Sequence, residues 1–287
     1  MSRGIETHRS MVKAWECDVF GHFTVACYFD RFADASETLR EALARERGLA
    51  VPESWITLDY HARFTAELRG GDILHVESGV LEAASNSLRF GHRLFNSATG
   101  ALCTTVEQCL ALPSSVRPLS EAEQERLLDR DWSWENAKDE PGFADDAADG
   151  FIVSGRDRVR AGEIDANGAL ALASYVHRSS FGCMQLLTAM GLTPDYLRAG
   201  RRGFSTFEVK LRLEPPAPKA GDALRLESGL MQLGSSSIRM LHRLIDARTG
   251  RRVATLRQSG VHFDLDARRS TPIPPELRDK AAARLLR

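Results

Sequence analysis

The chain has 287 residues, 43% of them hydrophobic and 27% charged, and a formal net charge of -1. That composition fits a globular protein of one large or two ordinary domains. Near-balance of 38 basic against 39 acidic residues argues against a nucleic-acid or membrane-surface protein, which carries a basic excess.

The first expected strand spans about 8–16. The loop Glu16-Cys-Asp18-Val-Phe-Gly21-His22-Phe-Thr24 follows. Tyr28, Phe32, Ala35, Leu39 and Leu43 then recur at helical spacing, with Asp30, Glu37, Arg40 and Glu41 on the other face. The spacing predicts an amphipathic helix of about 20 residues, stopped at Gly48. Beyond it the period falls to two. Strands are expected in 55–68 and 72–83, then in 88–95 and Leu102–Leu112, which are joined by a turn at Asn96–Gly100. Ser120-Glu-Ala-Glu123 reads as a capping box for a short helix near 121–130. From Pro113 to Gly150 there are 11 acids against 4 bases, and 131–150 reads as a solvated acidic linker. Trp132 and Trp134 are expected to dock that segment onto a domain.

The rest of the chain repeats the first part. Gly71–Leu112 aligns without a gap on Gly221–His262, with 16 identities in 42 positions. Glu16-x-Asp18-x-x-Gly21 recurs as Glu163-x-Asp165-x-x-Gly168, Tyr28 as Tyr175, and Arg31 as Arg178. Such self-similarity indicates duplication. The boundaries are 1–130 for the first domain, 131–150 for the linker and 151–287 for the second domain. The second domain carries a helix ending at Gly191 and strands at 152–161, 205–214, 222–233, 237–246 and 252–264. One strand, one long helix and an antiparallel meander is an α+β order.

The chemical signal lies just before each helix. Asp18 precedes a helix N-terminus beyond a glycine turn. Free N–H groups there can polarise a carbonyl and hold the oxyanion formed from it. A nearby carboxylate can attack that carbonyl or activate water. On spacing alone, the plainer reading is that Asp18 caps the helix or shapes the turn, and His22 alone reads as structural. Arg89, Arg93, Arg239 and Arg243 recur on strands. They could meet phosphates, but exposed strand arginines held by neighbours are the simpler expectation. His92 and His242 sit among apolar residues and read as satisfied core histidines. The five cysteines (17, 27, 103, 109 and 183) show no zinc-finger or C-x-x-C spacing and read as free thiols. Cys17 and Cys27 have no evident base. His-Glu-x-x-His, Walker-type and G-x-G-x-x-G patterns do not occur.

Asp18-x-x-Gly21-His22-x-x-x-x-x-Tyr28, then a helix, then Gly71-Asp72-Ile73-Leu74, resembles the hotdog-fold thioesterases of the 4-hydroxybenzoyl-CoA and acyl-CoA/acyl-ACP branch. Gly21-His22-Phe23-Thr24, Phe32-Ala33-Asp34-Ala35-Ser36 and Thr104-Thr105-Val106-Glu107-Gln108 are most similar to betainyl-CoA thioesterase-type domains. The resemblance spans most of both repeats. It implies a tandem double hotdog, each repeat a long helix wrapped by an antiparallel sheet. In that family paired units place active sites at their interface. The resemblance implies hydrolysis of an acyl-CoA or acyl-ACP thioester to a carboxylate and a thiol. It assigns Asp18 as the catalytic carboxylate and a backbone N–H near Val25 as oxyanion donor, with Asp165 and the amide near Leu172 as their counterparts. His22 joins the catalytic set. Gly21, Thr24, Tyr28 and Gly168 join Val25 and Leu172 as substrate-binding positions. The second repeat keeps Asp165-Ala-Asn-Gly168, but Ala169 replaces the histidine.

No cofactor or metal is expected, nor a nucleic-acid or membrane partner. A cytoplasmic location is expected, and relatives suggest a homodimer of double-hotdog chains. Two rivals remain. A hotdog hydratase or dehydratase would use Asp-x-Asn-Pro-x-x-His, of which Asp165-Ala-Asn167 is a partial echo. Loss of both aspartates would have favoured a non-catalytic acyl-thioester binding or scaffold protein, yet both are present.

Overall fold

The computed structural model describes residues 4–48, 55–129, 132, 134 and 149–287. The chain divides into two compact units, Met1–Asp139 and Glu140–Arg287. Most of the expected linker 131–150 lies outside the described residues.

In the first unit, β1 (Ile5–Met11) leads through a 3-10 turn (Ala14–Glu16) to helix α1 (Val25–Arg47). The expected first strand therefore stops early. At its far end the chain tightens into the turn that presents Asp18. Strands β2 (Ile56–Phe64), β3 (Ile73–Ala83), β4 (Ser87–Asn96) and β5 (Leu102–Ala111) follow, then helix α2 (Glu121–Leu127). The antiparallel order is β1-β3-β4-β5-β2. Helix α1 ends where Gly48 takes φ 62°, a left-handed cap that glycine adopts without a side-chain penalty. Its apolar stripe (Phe29, Phe32, Ala35, Leu39, Leu43) is fully buried. At about 1.5–3 kcal/mol for each large side chain buried, this stripe holds the helix to the sheet. Leu39 and Leu43 pack with Trp55, Val80, Leu88, Phe90 and Leu110.

The second unit repeats the plan. Strand β6 (Ile152–Arg158), a 3-10 turn (Ala161–Glu163) and helix α3 (Leu172–Ala189) are followed by a short helix, α4 (Pro194–Ala199). Then come β7 (Arg202–Leu213), β8 (Ala223–Leu233), β9 (Ser237–Asp246), β10 (Arg252–Asp264), the two-residue β11 (Arg269–Ser270) and helix α5 (Pro275–Ala282). Its order is β6-β8-β9-β10-β7, the same topology, with β11 added to β10. Helices α4 and α5 and strand β11 have no counterpart in the sequence reading. Helix α4 starts on a Thr193 cap with Pro194 at its first position, a signal too local to stand out.

Each unit carries a transverse line of buried polar side chains across its strands. In the first, Thr7 Oγ1 lies 2.6 Å from Ser78 Oγ, which lies 2.7 Å from His92 Nδ1. His92 Nε2 lies 3.2 Å from Gln108 Oε1, and Gln108 Nε2 donates to Thr57 Oγ1 at 2.8 Å. All five strands contribute one residue. The second unit repeats it with Ser154, Ser228, His242, Gln258 and Thr206, but the line breaks between His242 and Gln258. His242 Nε2 and Gln258 Oε1 have no partner among the described residues. Gln258 nevertheless stays near enough to the ring to favour its protonated form, so His242 keeps the same cross-strand neighbour through a looser contact. The helices differ beside the two histidines. Phe32 packs its ring 5.9 Å from that of His92, whereas Ser179 takes its place in the second repeat. A cavity of about 10 Å³ opens there, lined by Tyr175, Ser179, His242 and five aliphatic residues.

Trp132 and Trp134 dock as expected. Trp132 is buried, and Trp134 Nε1 donates to Glu107 Oε1 at 3.0 Å. Arg93 lies over both rings. Burial pushes His92 and His242 each down to about 4. The unfolded chain binds protons at these sites below about pH 6.5, whereas the folded chain does so only near pH 4. Stability should therefore fall as pH drops through that window, by about 1.4 kcal/mol per pH unit for each histidine. Urea melts from pH 7 to 4.5 should show that decline, and His92→Gln should make it shallower; an unchanged slope would refute the assignment to His92.

Candidate functional site

The loop before α1 is built by its own hydrogen bonds. Asp18 N donates to His22 O at 2.8 Å, and Gly21 N donates to Asp18 O at 3.0 Å. The Asp18 carboxylate accepts from Phe20 N at 2.8 Å and His22 N at 3.0 Å, both through Oδ1. Gly21 has φ 79°, a conformation that disfavours a side chain. Asp18 is therefore a turn-former, as the plainer reading held. Its side chain nevertheless keeps 43% exposure, and Oδ2 faces His22 Nδ1 at 3.9 Å. One oxygen shapes the loop and the other is open to chemistry.

The loop is anchored on both sides. Phe23 N donates to Leu68 O at 2.8 Å, and Thr24 N donates to Glu16 O at 2.9 Å. Thr24 is the residue before the helix and makes no side-chain cap. Cys27 N turns back to Thr24 O at 2.9 Å. The amides of Val25 and Ala26 open the helix, where no preceding turn offers them a carbonyl. They stand at the positive end of a 23-residue helix.

Beneath the loop, Glu16 and Arg31 form an almost buried ion pair. Burial alone would push the Glu16 carboxyl up, but the Lys13 N–H and the Arg31 guanidinium outweigh it and hold it below the usual carboxylate range. The second repeat matches with Glu163 and Arg178, the latter also paired to Asp157 at 2.9 Å. The sequence showed Glu16 and Arg31 recurring but gave them no role. Their role is to fasten the loop to the helix.

Tyr28 is 3% exposed and lies under the loop, its ring 4.4 Å from that of Phe23. Burial raises its hydroxyl far above the ordinary tyrosine value, so it remains protonated. Cys27 is pushed up to about 11 by burial, and burial also raises the Cys17 thiol. Neither is a ready nucleophile. Trp15, Val19 and Phe20 expose apolar surface around Asp18. His22 also meets a residue the sequence reading did not single out: its Nε2 lies 3.5 Å from Glu67 Oε2.

The second loop superposes bond for bond. Asp165 Oδ1 accepts from Asn167 N at 2.9 Å and Ala169 N at 3.0 Å. Gly168 has φ 76°. Leu170 N donates to Pro218 O, and Ala171 N to Glu163 O. Leu172 opens α3. Tyr175 is again buried and its hydroxyl raised by burial. What differs is the chemistry carried. Ala169 stands at the place of His22, and Ala217 at the place of Glu67. The strand arginines have structural contacts: Arg89 pairs with Glu82 and Glu107 at 3.2 Å each, and Arg243 lies 4.0 Å over the Phe151 ring.

A helix laid across an antiparallel five-stranded sheet, twice in one chain, with a carboxylate at each helix entrance, defines a tandem hotdog protein of the thioesterase kind. Residues 12–114 and 159–281 each match the model of the thioesterase-like superfamily, and the chain belongs to that family. Three solved structures share the fold over both repeats. A Lactobacillus plantarum protein named as an oleoyl thioesterase aligns at 12% identity and TM-score 0.66, over 91% of this chain and 97% of that one. An acyl-ACP thioesterase from Bacteroides thetaiotaomicron gives 11% and 0.62, over 89% and 96%. The 12:0-ACP thioesterase from Umbellularia californica gives 14% and 0.60, over 89% and 93%. Among curated protein sequences no match is found. No described helix is long and apolar enough to cross a membrane.

The anchoring role of Glu16 can be tested. Removing one partner of an almost buried pair leaves an uncompensated charge, at a cost of roughly 3 kcal/mol. Glu16→Ala should lower the melting temperature by several degrees, and Glu16→Met with Arg31→Met should recover part of it. A neutral single variant would show that the pair does not hold the loop.

Proposed function

We propose that the chain hydrolyses an acyl thioester, carried on coenzyme A or an acyl carrier protein, through the first-repeat loop. The observation that carries this reading is the half-exposed Asp18 carboxylate at the entrance of α1, with its outer oxygen facing His22 and unpaired helix amides a few residues away. Asp18 acts as general base: its Oδ1 is committed to two backbone amides, leaving Oδ2 to take a proton from water. The water oxygen attacks the thioester carbon, and the carbonyl electrons move onto oxygen. The Val25 amide, at the first position of α1, holds that oxyanion. Collapse breaks the C–S bond, and the proton on Asp18 passes to sulfur. The products are a carboxylic acid, which ionises, and a free thiol. Thr24 and Gly21 place this amide, while Tyr28 supports the loop from below. In the second repeat, Asp165, Gly168 and Leu172 give the same frame without His22 or Glu67, and we assign that loop to substrate affinity rather than turnover. A cytoplasmic site of action and a dimer of such chains accord with this reading.

Thiol release from a panel of acyl-CoA and acyl-pantetheine esters tests the activity, with absorbance at the enoyl wavelength followed in parallel to detect hydration. Asp18→Asn keeps the shape and removes the charge; turnover should fall by roughly 10²–10⁴. Asp165→Asn should cost much less. Both variants should stay folded, since neither empties core volume. If Asp165→Asn abolishes hydrolysis while Asp18→Asn leaves it intact, the working loop is the other one.

A further inference from the structure

The two repeats provide an internal control. Their entrance loops share every backbone hydrogen bond described above, the same left-handed glycine and the same buried Glu–Arg anchor. The frame therefore does not require His22 or Glu67. Where the second repeat has lost the histidine, it has lost the glutamate too, with Ala169 and Ala217 at the two places. The equivalence of Glu67 and Ala217 is fixed by their neighbours. Leu68 O accepts Phe23 N and Pro218 O accepts Leu170 N. Arg69 N and Lys219 N each donate to the aspartate three residues on, at 2.8 Å. Two polar residues 45 positions apart in the sequence are present together in one repeat and absent together from the other, in frames otherwise alike.

In the first repeat the pair is in contact. His22 Nε2 is 3.5 Å from Glu67 Oε2, and His22 Nδ1 is 3.9 Å from Asp18 Oδ2. The His22 side chain is 17% exposed and that of Glu67 is 30% exposed, so the ring has little solvent to choose instead. Glu67 is the nearer of the two carboxylates, 3.5 Å against 3.9 Å, and so favours the neutral tautomer with its proton at Nε2, which leaves Nδ1 as an acceptor on the Asp18 side. We propose that Glu67 is a positioning residue for the thioesterase site. It fixes the orientation and tautomer of His22, so that His22 Nδ1 and Asp18 Oδ2 together accept the two hydrogens of the attacking water. The 3.9 Å gap between those acceptors closes through that water rather than through a direct bond. The chemical step is unchanged: Asp18 takes one proton and later gives it to sulfur, while His22 holds the other O–H in line.

This inference rests on the proposed thioesterase activity, and its test separates the two. Glu67→Gln keeps the shape and removes the charge. It should lower kcat by roughly 10- to 100-fold, the scale for a misplaced catalytic group, with KM within about twofold of wild type. In a His22→Ala background the same change should cost less than about twofold, because Glu67 acts through the ring. Equal losses in both backgrounds, or a rise in KM at constant kcat, would overturn the proposal. An independent readout uses ¹⁵N-labelled histidine, with His22→Ala assigning the signal. The wild-type His22 ring should show a protonated Nε2, and Glu67→Gln should give a tautomer mixture. An unchanged ring spectrum in Glu67→Gln would also overturn it. Should wild type release no thiol from any ester, the activity fails, and the ring spectrum still decides whether Glu67 sets the tautomer.

Discussion

The structure depends on burying one apolar helical stripe against one face of a sheet. In the first unit Phe29, Phe32, Ala35, Leu39 and Leu43 vanish entirely from solvent. Everything at the site follows from where that helix is forced to begin. Because the stripe pins α1 to the sheet, its first turn must emerge at a fixed place. The loop before it must then reverse sharply, which Gly21 permits and the Asp18 carboxylate stabilises by accepting two backbone amides. The same bonds that make the turn bring a carboxylate close to the first amide of the helix. Structural and chemical roles of Asp18 are thus two oxygens of one side chain.

The transverse polar lines deepen this dependence. Side-chain alternation already sets the register of a sheet with one buried face, since a one-residue slip would turn its apolar residues to solvent; the polar line adds a second penalty. Thr7, Ser78, His92, Gln108 and Thr57 each bond to the next strand, so a slip would break the chain of bonds in a dry interior. In the second unit the corresponding line is interrupted beneath Ser179, where the helix no longer supplies an aromatic ring over the histidine. The duplicated units have diverged in opposite ways. The first carries His22 and Glu67 at its entrance; the second keeps the frame with alanines at those two places and a small cavity beneath Ser179.

Much of this was legible in the sequence. Period-two alternation and the 3.6-residue stripe located both long helices and nearly every strand, and the gapless repeat revealed the duplication. Gly48 and Gly191 marked helix ends because a left-handed residue follows the last turn. Local signals failed where tertiary contacts decide. The 3-10 turn at Ala14–Glu16 looks like strand, and α4, α5 and β11 are too short for periodicity to register. At the site, Asp18 and Gly21 were legible as a turn before a helix. Glu67 was not, because its partner lies 45 positions earlier and meets it only after the strand returns beside the loop. Comparing the two repeats position by position, at Ala169 and Ala217, is the signal that would have found it.

On the proposed function, a thioester carbonyl is held at the first-repeat helix entrance. A crystal structure with an acyl-CoA analogue in which methylene replaces the thioester sulfur tests it most directly. The carbonyl oxygen should lie within hydrogen-bond distance of the Val25 amide, with Asp18 Oδ2 facing the carbonyl carbon across one water. A carbonyl bound at the Leu172 amide instead, with the α1 entrance unoccupied, would contradict it.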